Sequence, residues 1–494
     1  MARCIMVQGT MSGAGKSLLA AALCRIFRQD GWRVAPFKGQ NMALNSCITR
    51  DGLEMGRAQV VQAQAAGVEP DVRMNPVLLK PSSDTGSQLI VLGEVRGQYE
   101  AAGYFRMKRD LIPEVLGAYE SLAAEYDIIV IEGAGSPAEI NLRQADAFVN
   151  MGLAELVNAP VLLVGDIDRG GVFAQLYGTA ALLEPHERQR IAGLVVNKFR
   201  GDPALLEPGL AMLEEKTGIP VLGVVPYTRA DIDDEDSLAP RLGETRARRA
   251  VDIAVIRLPR ISNFTDFSPL ESHSALGVRY ADSAAALGTP DLVILPGTKS
   301  TMEDLLWMRQ NGLEAAVLKL AAAGVPVLGI CGGYQMLGEN LSDPEGVERS
   351  GELRGMGLLP CETAFSPQKT RTRVTAAVTA EPFAGAEAEG YEIHMGLTRR
   401  TGGVPFCRLS DGQEDGAAAG NVFGTYLHGL FDSGEVTERL ASWLLGRKGL
   451  APQEAAVESH RAYQERQYDL LASDVRAHLD MAAVYDAMDR YARK

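Results

Sequence analysis

Short, continuous runs of apolar residues recur along the first half of the chain, separated by longer stretches with helical spacing. Such runs are typical of strands that are buried on both faces of a parallel sheet, with helices outside. We therefore predict a parallel α/β sheet with strands at residues 4–8, 33–37, 127–131, 160–165, 193–197 and 221–225. Ligands of such sheets bind beyond the carboxyl ends of the strands, so chemistry is expected there.

A second α/β pattern begins near residue 251, with predicted strands at 252–257, 291–295 and 325–330. Residues 361–430 read as β-rich with turns, and residues 435–494 read as charged and helical. These last helices could dock a partner, but we expect them to pack on the second α/β domain.

A charged stretch separates the two patterns. It is acidic at residues 231–236, basic at residues 246–249, and has no apolar periodicity between them. Charge runs of this kind are usually solvated linkers. The predicted organisation is therefore a first α/β domain at 1–228, a linker or inter-domain segment at 229–250, a second α/β domain at 251–440 and a helical extension at 441–494.

Composition narrows the class of protein. The 494 residues are 46% hydrophobic and 23% charged, as in ordinary globular proteins, and the net charge of −14 argues against broad binding to nucleic acid. The six cysteines form no CxxC pair, which favours a reduced, cytoplasmic chain. Met1 leads directly into a strand, and no apolar run approaches the length of a membrane span, so we expect neither a signal peptide nor a membrane partner.

The first candidate site is a glycine-rich turn between a strand and a helix. Residues 9–17 read Gly-Thr-Met-Ser-Gly-Ala-Gly-Lys-Ser, although the strict phosphate-loop spacing would place glycine where Thr10 stands. Backbone N–H groups of such a turn bind phosphate, Lys16 would neutralise the β- and γ-phosphates, and Ser17 would bind Mg²⁺. An ordinary glycine-rich turn is the alternative. The predicted ATP-binding residues are Thr10, Ser12, Gly13, Ala14, Gly15, Lys16, Ser17 and Asn197.

Four side chains elsewhere in the first half could join this site. Glu132 closes an apolar run, where a carboxylate can hold Mg²⁺ directly or through water, and Glu54 is a second metal candidate. Lys38 follows the second strand and would meet a phosphate or a carboxylate, unless it is a solvated loop lysine. Asn197 could read adenine with its amide. Since Asp202 lies too far along for the guanine motif, we favour ATP over GTP.

The second candidate site centres on Cys331, which stands between an apolar run and a predicted helix. A nucleophile on such a sharp strand-to-helix turn is lifted clear of the sheet, and the helix N-terminus favours the thiolate. His428 would move protons, and backbone N–H groups at Gly332 and Gly297 could bind an oxyanion. His394 would either shape the substrate pocket or only pack. A lone buried cysteine is usually a small hydrophobe, but the turn and the downstream histidine favour chemistry.

A phosphate loop and a cysteine nucleophile on one chain favour glutamine-dependent amidation, in which ATP activates a carboxylate and a thiol releases ammonia. Several longer segments resemble the glutamine amidotransferases of the cobalamin pathway, and together they cover nearly the whole chain. These segments are residues 8–17, 36–46, 132–142, 166–173 and 391–396, with the acidic stretch ending at residues 235–237, which weakens the linker interpretation there.

The resemblance implies a dethiobiotin synthetase-like phosphate-loop domain followed by a class I glutamine amidotransferase-like domain. It implies ATP and Mg²⁺ as cofactors, glutamine as ammonia donor, and a catalytic role for Lys38 beside metal ligands Ser17, Glu54 and Glu132. Many class I enzymes have a glutamate two residues after the histidine, but Leu430 stands there, so we predict a Cys331–His428 pair, name no third member and leave open whether an acid supports His428. The resemblance alone implies Asp166, Asp168 and Arg169 as corrinoid-binding residues.

The implied reaction is the amidation of the b, d, e and g carboxylates of adenosylcobyrinic acid a,c-diamide through acyl phosphates. Residues 38–45 favour this branch of the family over the a,c-diamide-forming branch. An amidotransferase acting on another carboxylate is a further alternative. A nucleotide switch of the partitioning-ATPase type is the non-enzyme alternative, but it leaves Cys331 and His428 unexplained. We expect glutamine and a corrinoid as partners, and leave open whether the chain forms a homodimer.

Overall fold

The computed structural model describes residues 2–81, 86–141, 147–233, 249–451 and 459–493. It divides into two compact units. The first comprises Met1–Ala43, Leu53–Ile232 and Gln464–Lys494, and the second comprises Leu44–Gly52 and Asp233–Tyr463. Most of the predicted linker at 229–250, the end of the 132–142 segment and the acidic residues 235–237 lie outside the described residues.

The elements up to residue 232 alternate as the apolar pattern predicts, with additional strands between residues 40 and 100. The strands are β1 (Arg3–Gly9), β2 (Val34–Phe37), β3 (Gln40–Met42), β4 (Ser46–Ile48), β5 (Glu54–Gly56), β6 (Val77–Pro81), β7 (Gly86–Val91), β8 (Glu94–Glu100), β9 (Ile128–Glu132), β10 (Val161–Asp166), β11 (Ile191–Phe199) and β12 (Val221–Pro226). The α-helices are α1 (Lys16–Gln29), α2 (Arg57–Ala66), α3 (Ala101–Met107), α4 (Ile112–Glu125), α5 (Met151–Leu156), α6 (Val172–Leu182), α7 (Pro185–Arg188) and α8 (Glu207–Thr217), with short 3-10 turns at Val72–Met74, Lys108–Leu111 and Pro203–Leu205.

The main sheet of the first unit has the order β12-β11-β10-β1-β9-β2, and every pairing in it is parallel. The predicted strands are confirmed to within one or two residues. All but β12, which is only partly buried, are apolar runs buried on both faces. The carboxyl ends of β1, β9, β2, β10 and β11 therefore meet at one edge, which is where the polar candidates stand.

A second sheet, formed by β3, β6, β7 and β8, was not predicted. Its outer strand β8 is mostly exposed and polar, so the apolar signal is confined to β6 and β7. β6 pairs antiparallel with β7, and β7 pairs antiparallel with β8. The sequence pattern missed these strands because β6 and β7 each contain a run of only three apolar residues.

The second unit contains a parallel sheet followed by a long antiparallel pair. Its strands after residue 250 are β13 (Val251–Ile256), β14 (Leu276–Ala281), β15 (Leu292–Leu295), β16 (Val327–Ile330), β17 (Asn340–Asp343), β18 (Gly351–Arg354), β19 (Cys361–Val378), β20 (Glu387–Arg400), β21 (Cys407–Leu409), β22 (Glu414–Asp415), β23 (Ala417–Ala419) and β24 (Val422–Thr425). Its helices are α9 (Ser268–Ser272), α10 (Ala284–Leu287), α11 (Thr301–Gln310), α12 (Leu313–Ala322), α13 (Gly332–Leu337) and α14 (Gly434–Arg447), with a 3-10 turn at Phe264–Phe267.

The sheet order in this unit is β14-β13-β15-β16-β24-β23, parallel except for the β23–β24 pair. Four neighbouring strands, β13, β15, β16 and β24, thus present their carboxyl ends side by side. The predicted strands and the β-rich region 361–430 are confirmed. The predicted domain boundary at residue 440 falls inside α14, whose apolar face belongs to the core of this unit.

The chain ends with α15 (His460–His478) and α16 (Met481–Ala492). The expectation that the last helices pack on the second domain is wrong for these two. Tyr468, Leu471 and Val475 of α15 join the buried core of the first unit, together with Val484 and Met488 of α16. Ion pairs also connect α15 to the first unit. The guanidinium group of Arg25, on α1, binds Glu465 and Asp469 of α15 at 2.7 and 2.8 Å.

Candidate active site

The phosphate loop connects β1 to α1 at the centre of the first sheet. Gly13 and Gly15 adopt left-handed backbone conformations, with φ of 74° and 96°. A side chain at either position would be strained, and at Gly15 it would also collide with the side chain of Asn197. Lys16 turns back over the loop and donates hydrogen bonds to the carbonyl oxygens of Met11 and Gly135, at 3.1 and 3.0 Å.

Glu132, at the end of β9, is the centre of a buried polar cluster. Its carboxylate accepts hydrogen bonds from Ser17 Oγ at 2.7 Å, Lys38 Nζ at 2.9 Å and Gln62 Nε2 at 2.6 Å. Burial alone would raise the pKa of Glu132, but Lys38 and these hydrogen bonds hold it below its usual value. Burial lowers the pKa of Lys16 to about 8, with Lys38 adding to the effect and Glu132 opposing it. The ammonium groups of Lys16 and Lys38 and the hydroxyl group of Ser17 therefore lie together beside the phosphate loop.

Strands β10 and β11 hold the other side of the loop. Asn197 donates from Nδ2 to the Ala14 carbonyl oxygen at 2.9 Å. Lys198 has a left-handed backbone with φ of 62°, which directs its ammonium group to Gly13 O at 2.6 Å and Asp166 Oδ2 at 2.9 Å. These hydrogen bonds hold the backbone of the loop at Gly13 and Ala14. The sequence pattern did not indicate Lys198 as a residue of this site.

The remaining candidates of this unit occupy two different settings. Glu54, on β5, is buried and forms an ion pair with Lys80 at 2.9 Å. Asp168 and Arg169, in contrast, are largely exposed, and Asp168 binds Arg200 at 3.1 Å. Thr10 Oγ1 donates a hydrogen bond to Gln175 Oε1 on α6 at 3.1 Å, so the side chain of Thr10 points toward α6. Asp166 and Glu54 are buried, whereas the side chains of Asp168 and Arg169 are exposed to solvent.

Cys331 stands on a sharp turn between β16 and α13 in the second unit. Its φ of 52° and ψ of −110° are rarely adopted by a residue with a side chain, and such strain is characteristic of nucleophile elbows. A Cβ atom at Gly333 would lie 2.0 Å from the Leu295 carbonyl oxygen, so only glycine allows the turn to approach the sheet this closely. The Cys331 thiol lies 3.5 Å from Ile393 O on β20.

His428 follows β24, the strand next to β16. Its Nδ1 lies 2.7 Å from Asp266 Oδ2, and the other oxygen of Asp266 accepts a hydrogen bond from Gly429 N at 3.1 Å. Burial opposes the charged imidazolium, but Asp266 outweighs it and, with Cys331 hydrogen-bonded to the ring, raises the pKa of His428 to about 10. Cysteine, histidine and aspartate are thus aligned, with the histidine between the other two.

Gly297, after β15, lies beside this group. A Cβ atom there would be 3.2 Å from His428 Cε1, so glycine keeps the space next to the imidazole open. Gly332, the first residue of α13, approaches the same loop: a Cβ atom at Gly332 would be 3.1 Å from Thr298 N. Two stretches of backbone, one after β15 and one at the start of α13, therefore meet beside Cys331.

His394, on β20, is held as a neutral ring. Burial lowers the pKa of His394 to about 4, and the hydrogen bond between its Nδ1 and Gly396 O at 2.7 Å opposes this only in part. The ring stacks on Tyr426, with centroids 3.7 Å apart, and Tyr426 OH accepts a hydrogen bond from Gln335 at 3.0 Å. A neutral imidazole in this position carries a hydrogen-bonding nitrogen without a charge.

Comparison with known proteins agrees with this division. Residues 5–239 match the CobQ/CobB/MinD/ParA nucleotide binding domain family, and residues 252–436 match the CobB/CobQ-like glutamine amidotransferase domain family. A cobyric acid synthase of Ruminiclostridium cellulolyticum is 55% identical over 99% of this chain and 98% of its own length. Those of Lachnoclostridium phytofermentans and Salmonella typhimurium are 53% and 50% identical, each over 99% of both chains. The chain belongs to the cobyric acid synthase family.

Membership of this family confirms the resemblance and the fold class that its segments implied: a nucleotide-binding α/β domain followed by a glutamine amidotransferase domain. In this member of the cobyric acid synthase family, the structure brings Cys331 and His428 together, and Ser17, Lys38 and Glu132 together. The roles predicted for individual residues remain proposals.

At the Cys331–His428 site, the sequence pattern missed Asp266. It lies on a 3-10 turn after β13, far along the chain from both Cys331 and His428, and belongs to no recognisable motif. A physical signal was nevertheless present, because an acidic residue within an apolar stretch beyond the carboxyl end of a parallel strand is costly to bury without a function or a partner. Since β13 neighbours β15, that position is brought to the same edge as Gly297.

Neither a membrane helix nor a side-chain metal cluster is found among the described residues. No helix in these parts of the chain is long and apolar enough to cross a membrane. Likewise, within the same ranges, no group of three or more His, Cys, Asp and Glu side chains is arranged to hold a metal ion. Magnesium at phosphate loops usually takes few protein ligands beside water and phosphate oxygens, so Ser17 and Glu132 fit it without such a cluster.

Proposed function

We propose that this chain makes cobyric acid by amidating the b, d, e and g carboxylates of adenosylcobyrinic acid a,c-diamide, with ATP and glutamine. The observation that carries the proposal is the presence of two built sites on one chain: a braced phosphate loop beside Lys38 and Glu132, and a cysteine aligned with a histidine–aspartate pair. Relatives of nearly the same length bear the name of this activity. We expect the enzyme to act in the cytoplasm.

The first site activates the carboxylate. A carboxylate oxygen of the corrinoid attacks the γ-phosphorus of ATP, ADP leaves, and an acyl phosphate forms. Lys16 exchanges its two carbonyl partners for phosphate oxygens, and Lys38, now paired with Glu132, is placed to stabilise the charge on the transferred phosphoryl group. Asn197 and Lys198 keep the loop open to phosphate, and Asn197 is the residue expected to lie near adenine.

Magnesium fits the oxygen atoms of Ser17 and Glu132, which lie 2.7 Å apart at the end of the loop, while Glu54 is the more distant candidate because Lys80 already neutralises it. When bound, the ion would offset the negative charge of the phosphates. The protein groups beside it do the positioning: Gln62 and Lys38 fix the carboxylate of Glu132, so its orientation does not depend on the nucleotide.

The second site releases ammonia. The Cys331 sulfur attacks the carboxamide carbon of glutamine, the C–N bond breaks as His428 gives a proton to the leaving nitrogen, and a thioester remains. Water then hydrolyses the thioester to glutamate with His428 as base. Asp266 orients the ring of His428 and stabilises its charge, in the role that a glutamate two residues after the histidine has in other class I enzymes.

Small groups around the thiol complete this site. The backbone N–H groups at Gly332 and in the loop at Gly297 are the proposed oxyanion donors, because the two stretches approach each other beside Cys331. His394, as a neutral ring, is proposed to shape the glutamine pocket. Ammonia then attacks the acyl phosphate carbon in the first reaction, phosphate leaves, and an amide forms. Asp168 and Arg169 are proposed to contact the corrinoid from the exposed edge, with Asp166 holding Lys198 beneath them.

Mass spectrometry of the corrinoid tests this proposal. Adenosylcobyrinic acid a,c-diamide is incubated with the protein, Mg-ATP and glutamine, and a ladder of successive hydroxyl-to-amide exchanges is expected. Omitting ATP should abolish the ladder, and free ammonia should replace glutamine. Amidation of cobyrinic acid at the a and c positions instead would favour the a,c-diamide branch. Glutaminase activity without any change in either corrinoid would contradict the proposed substrate and leave another carboxylate as the acceptor.

A further inference from the structure

A short piece of the N-terminal sequence is part of the second unit. Residues Leu44–Gly52, here called the inserted segment, cluster with the amidotransferase unit although the chain before and after them belongs to the first unit. Asn45 and Ser46 are 1% exposed, and neither takes part in the proposed chemistry. Burying polar groups costs free energy unless they are hydrogen-bonded, so the partners of these two residues indicate what the segment does.

The inserted segment binds the residue that begins the Asp266 turn. Asn263 N donates to Asn45 Oδ1 at 2.6 Å, and Ser46 N donates to Asn263 Oδ1 at 3.3 Å. Asn263 has a left-handed backbone with φ of 52°, and its carbonyl oxygen accepts a hydrogen bond from Asp266 N at 3.0 Å. The pair of contacts therefore fixes the start of the turn on which Asp266 reaches His428.

The same segment also binds the residue that stacks on His428. Tyr391 OH donates to Ser46 O and accepts from Asn263 Nδ2, both at 3.2 Å. The backbone of Tyr391 exchanges two hydrogen bonds with that of His428, at 3.1 and 2.9 Å, and the two rings stack with centroids 5.3 Å apart. Asn45 and Ser46 are thus linked to both members of the histidine–aspartate pair, through Asn263 to one and through Tyr391 to the other.

We propose that the inserted segment is a positioning element of the glutaminase site, which acts through Asn263 and Tyr391 to hold Asp266 and His428 in their productive arrangement. This inference rests on the proposed role of Cys331 and His428 in glutamine hydrolysis and adds residues from the N-terminal half of the sequence to it. The hydrogen bonds converge on the orientation of one imidazole ring, which sets both proton transfer and the charge on that ring.

Replacement of Tyr391 by phenylalanine tests the proposal with the smallest change, because the stacked ring remains and only the hydroxyl is lost. We expect the glutaminase kcat to fall roughly three- to ten-fold, as for the loss of one or two buried hydrogen bonds. The KM for glutamine should change by less than about two-fold, since the ring and not the pocket is displaced. The alkaline limb of the pH profile should move to lower pH, because a looser contact with Asp266 stabilises the imidazolium less.

The matched control is Tyr280→Phe, which removes a hydroxyl that donates to Glu271 at 3.0 Å elsewhere in the same unit. It should leave kcat, KM and the pH profile unchanged. A wild-type protein without glutaminase activity would overturn the proposed function itself. Active wild type with Tyr391→Phe indistinguishable from it, or altered only in KM, would overturn the positioning role alone.

A double-variant cycle separates positioning from general destabilisation. In an Asp266→Asn background, Tyr391→Phe should cost less than about two-fold, because the contact between the Asp266 carboxylate and His428 that Tyr391 is proposed to hold is already lost. The same cycle with Asn45→Ala, which removes the acceptor for Asn263 N, provides a second, independent variant and should give the same non-additivity. Costs that simply multiply in both cycles would refute the proposal, whatever the size of the single effects.

Discussion

Lys16 of the first unit and His428 of the second are held in opposite ways. Lys16 is bound to two backbone carbonyl groups, which it can exchange for phosphate without leaving a carboxylate unpaired. His428 is fixed by a buried carboxylate, by two backbone hydrogen bonds and by a stacked tyrosine ring. The ammonium group of Lys16 is therefore available to a ligand, whereas the ring of His428 is held in one orientation.

This difference reflects what each reaction asks of the protein. Phosphoryl transfer depends on placing positive charge around a ligand that brings its own negative charge, so partners that are easily displaced are an advantage. Amide hydrolysis depends on a nucleophile and a base whose relative position is set before glutamine arrives. Four predictions test this difference, in order of decreasing effect.

Replacement of Cys331 by alanine should have the largest effect. Glutaminase activity and glutamine-dependent amidation should fall by at least about 10⁴-fold, because the attacking sulfur is gone. Amidation with free ammonia should persist, since the activating groups belong to the other unit. Cys361→Ala, which removes another buried thiol, is the matched control and should keep glutaminase activity. If the Cys331 variant still amidated with glutamine at the normal rate, the thiol mechanism would be untenable.

Lys16→Ala should abolish corrinoid amidation with both nitrogen sources, by about 10²–10³-fold, because the ammonium group that meets the phosphates is lost. The measurement is amide formation with glutamine and with ammonia, beside ATP binding by calorimetry. Lys216→Ala, an exposed lysine of α8, serves as control and should behave as wild type. A loss confined to the glutamine-dependent reaction would contradict the assignment of Lys16 to activation.

Asp266→Asn should lower glutaminase kcat by roughly 10²-fold, since the amide neither fixes the ring nor stabilises its charge as the carboxylate does. Asp266 raises the pKa of His428, to about 10, so the imidazolium persists until the pH approaches that value. Without the carboxylate the pKa of His428 falls, and the alkaline limb of the pH–rate profile should move to lower pH.

The same pair stabilises the fold in a pH-dependent way. Because the pKa of His428 lies above its ordinary value of 6.5, the stabilisation of the fold by this residue is complete below pH 6.5 and is lost as the pH rises through about 10.

The control for the Asp266 variant is Asp252→Asn, which disturbs the ion pair with Arg279 in the same unit and should leave the glutaminase pH profile in place. An unshifted profile in the Asp266 variant would show that the carboxylate does not set the charge of the ring.

Gly297→Ala should have the smallest effect, a roughly three- to ten-fold loss of glutaminase kcat, because the added methyl group would lie 3.2 Å from the His428 ring and must displace it by a fraction of an ångström. Steady-state kinetics with glutamine measures this. Gly446→Ala, in α14, meets no atom within 4 Å and should be neutral in activity and slightly stabilising. Equal behaviour of the two variants would mean that the space beside the imidazole is not used.

Sequence reasoning predicted contiguous features well and assembled features poorly. The phosphate loop, the Cys331 turn and the main strands are each encoded by neighbouring residues, and their bounds agree with the structure. Asp266 reaches His428 only because β13, β15, β16 and β24 are neighbours in the sheet, an order that apolar runs do not reveal. The prediction of where α15 and α16 pack was wrong for a similar reason, because an apolar helix face does not specify which core it joins.

Each unit is built from more than one stretch of the chain, which limits how the two units could be expressed as separate proteins. A fragment beginning at residue 233 would lack the inserted segment, and a fragment ending at residue 232 would lack α15 and α16 with their share of the core. No single cut can therefore yield two complete halves. A permuted or co-expressed design would have to return Leu44–Gly52 and Gln464–Lys494 to their respective units.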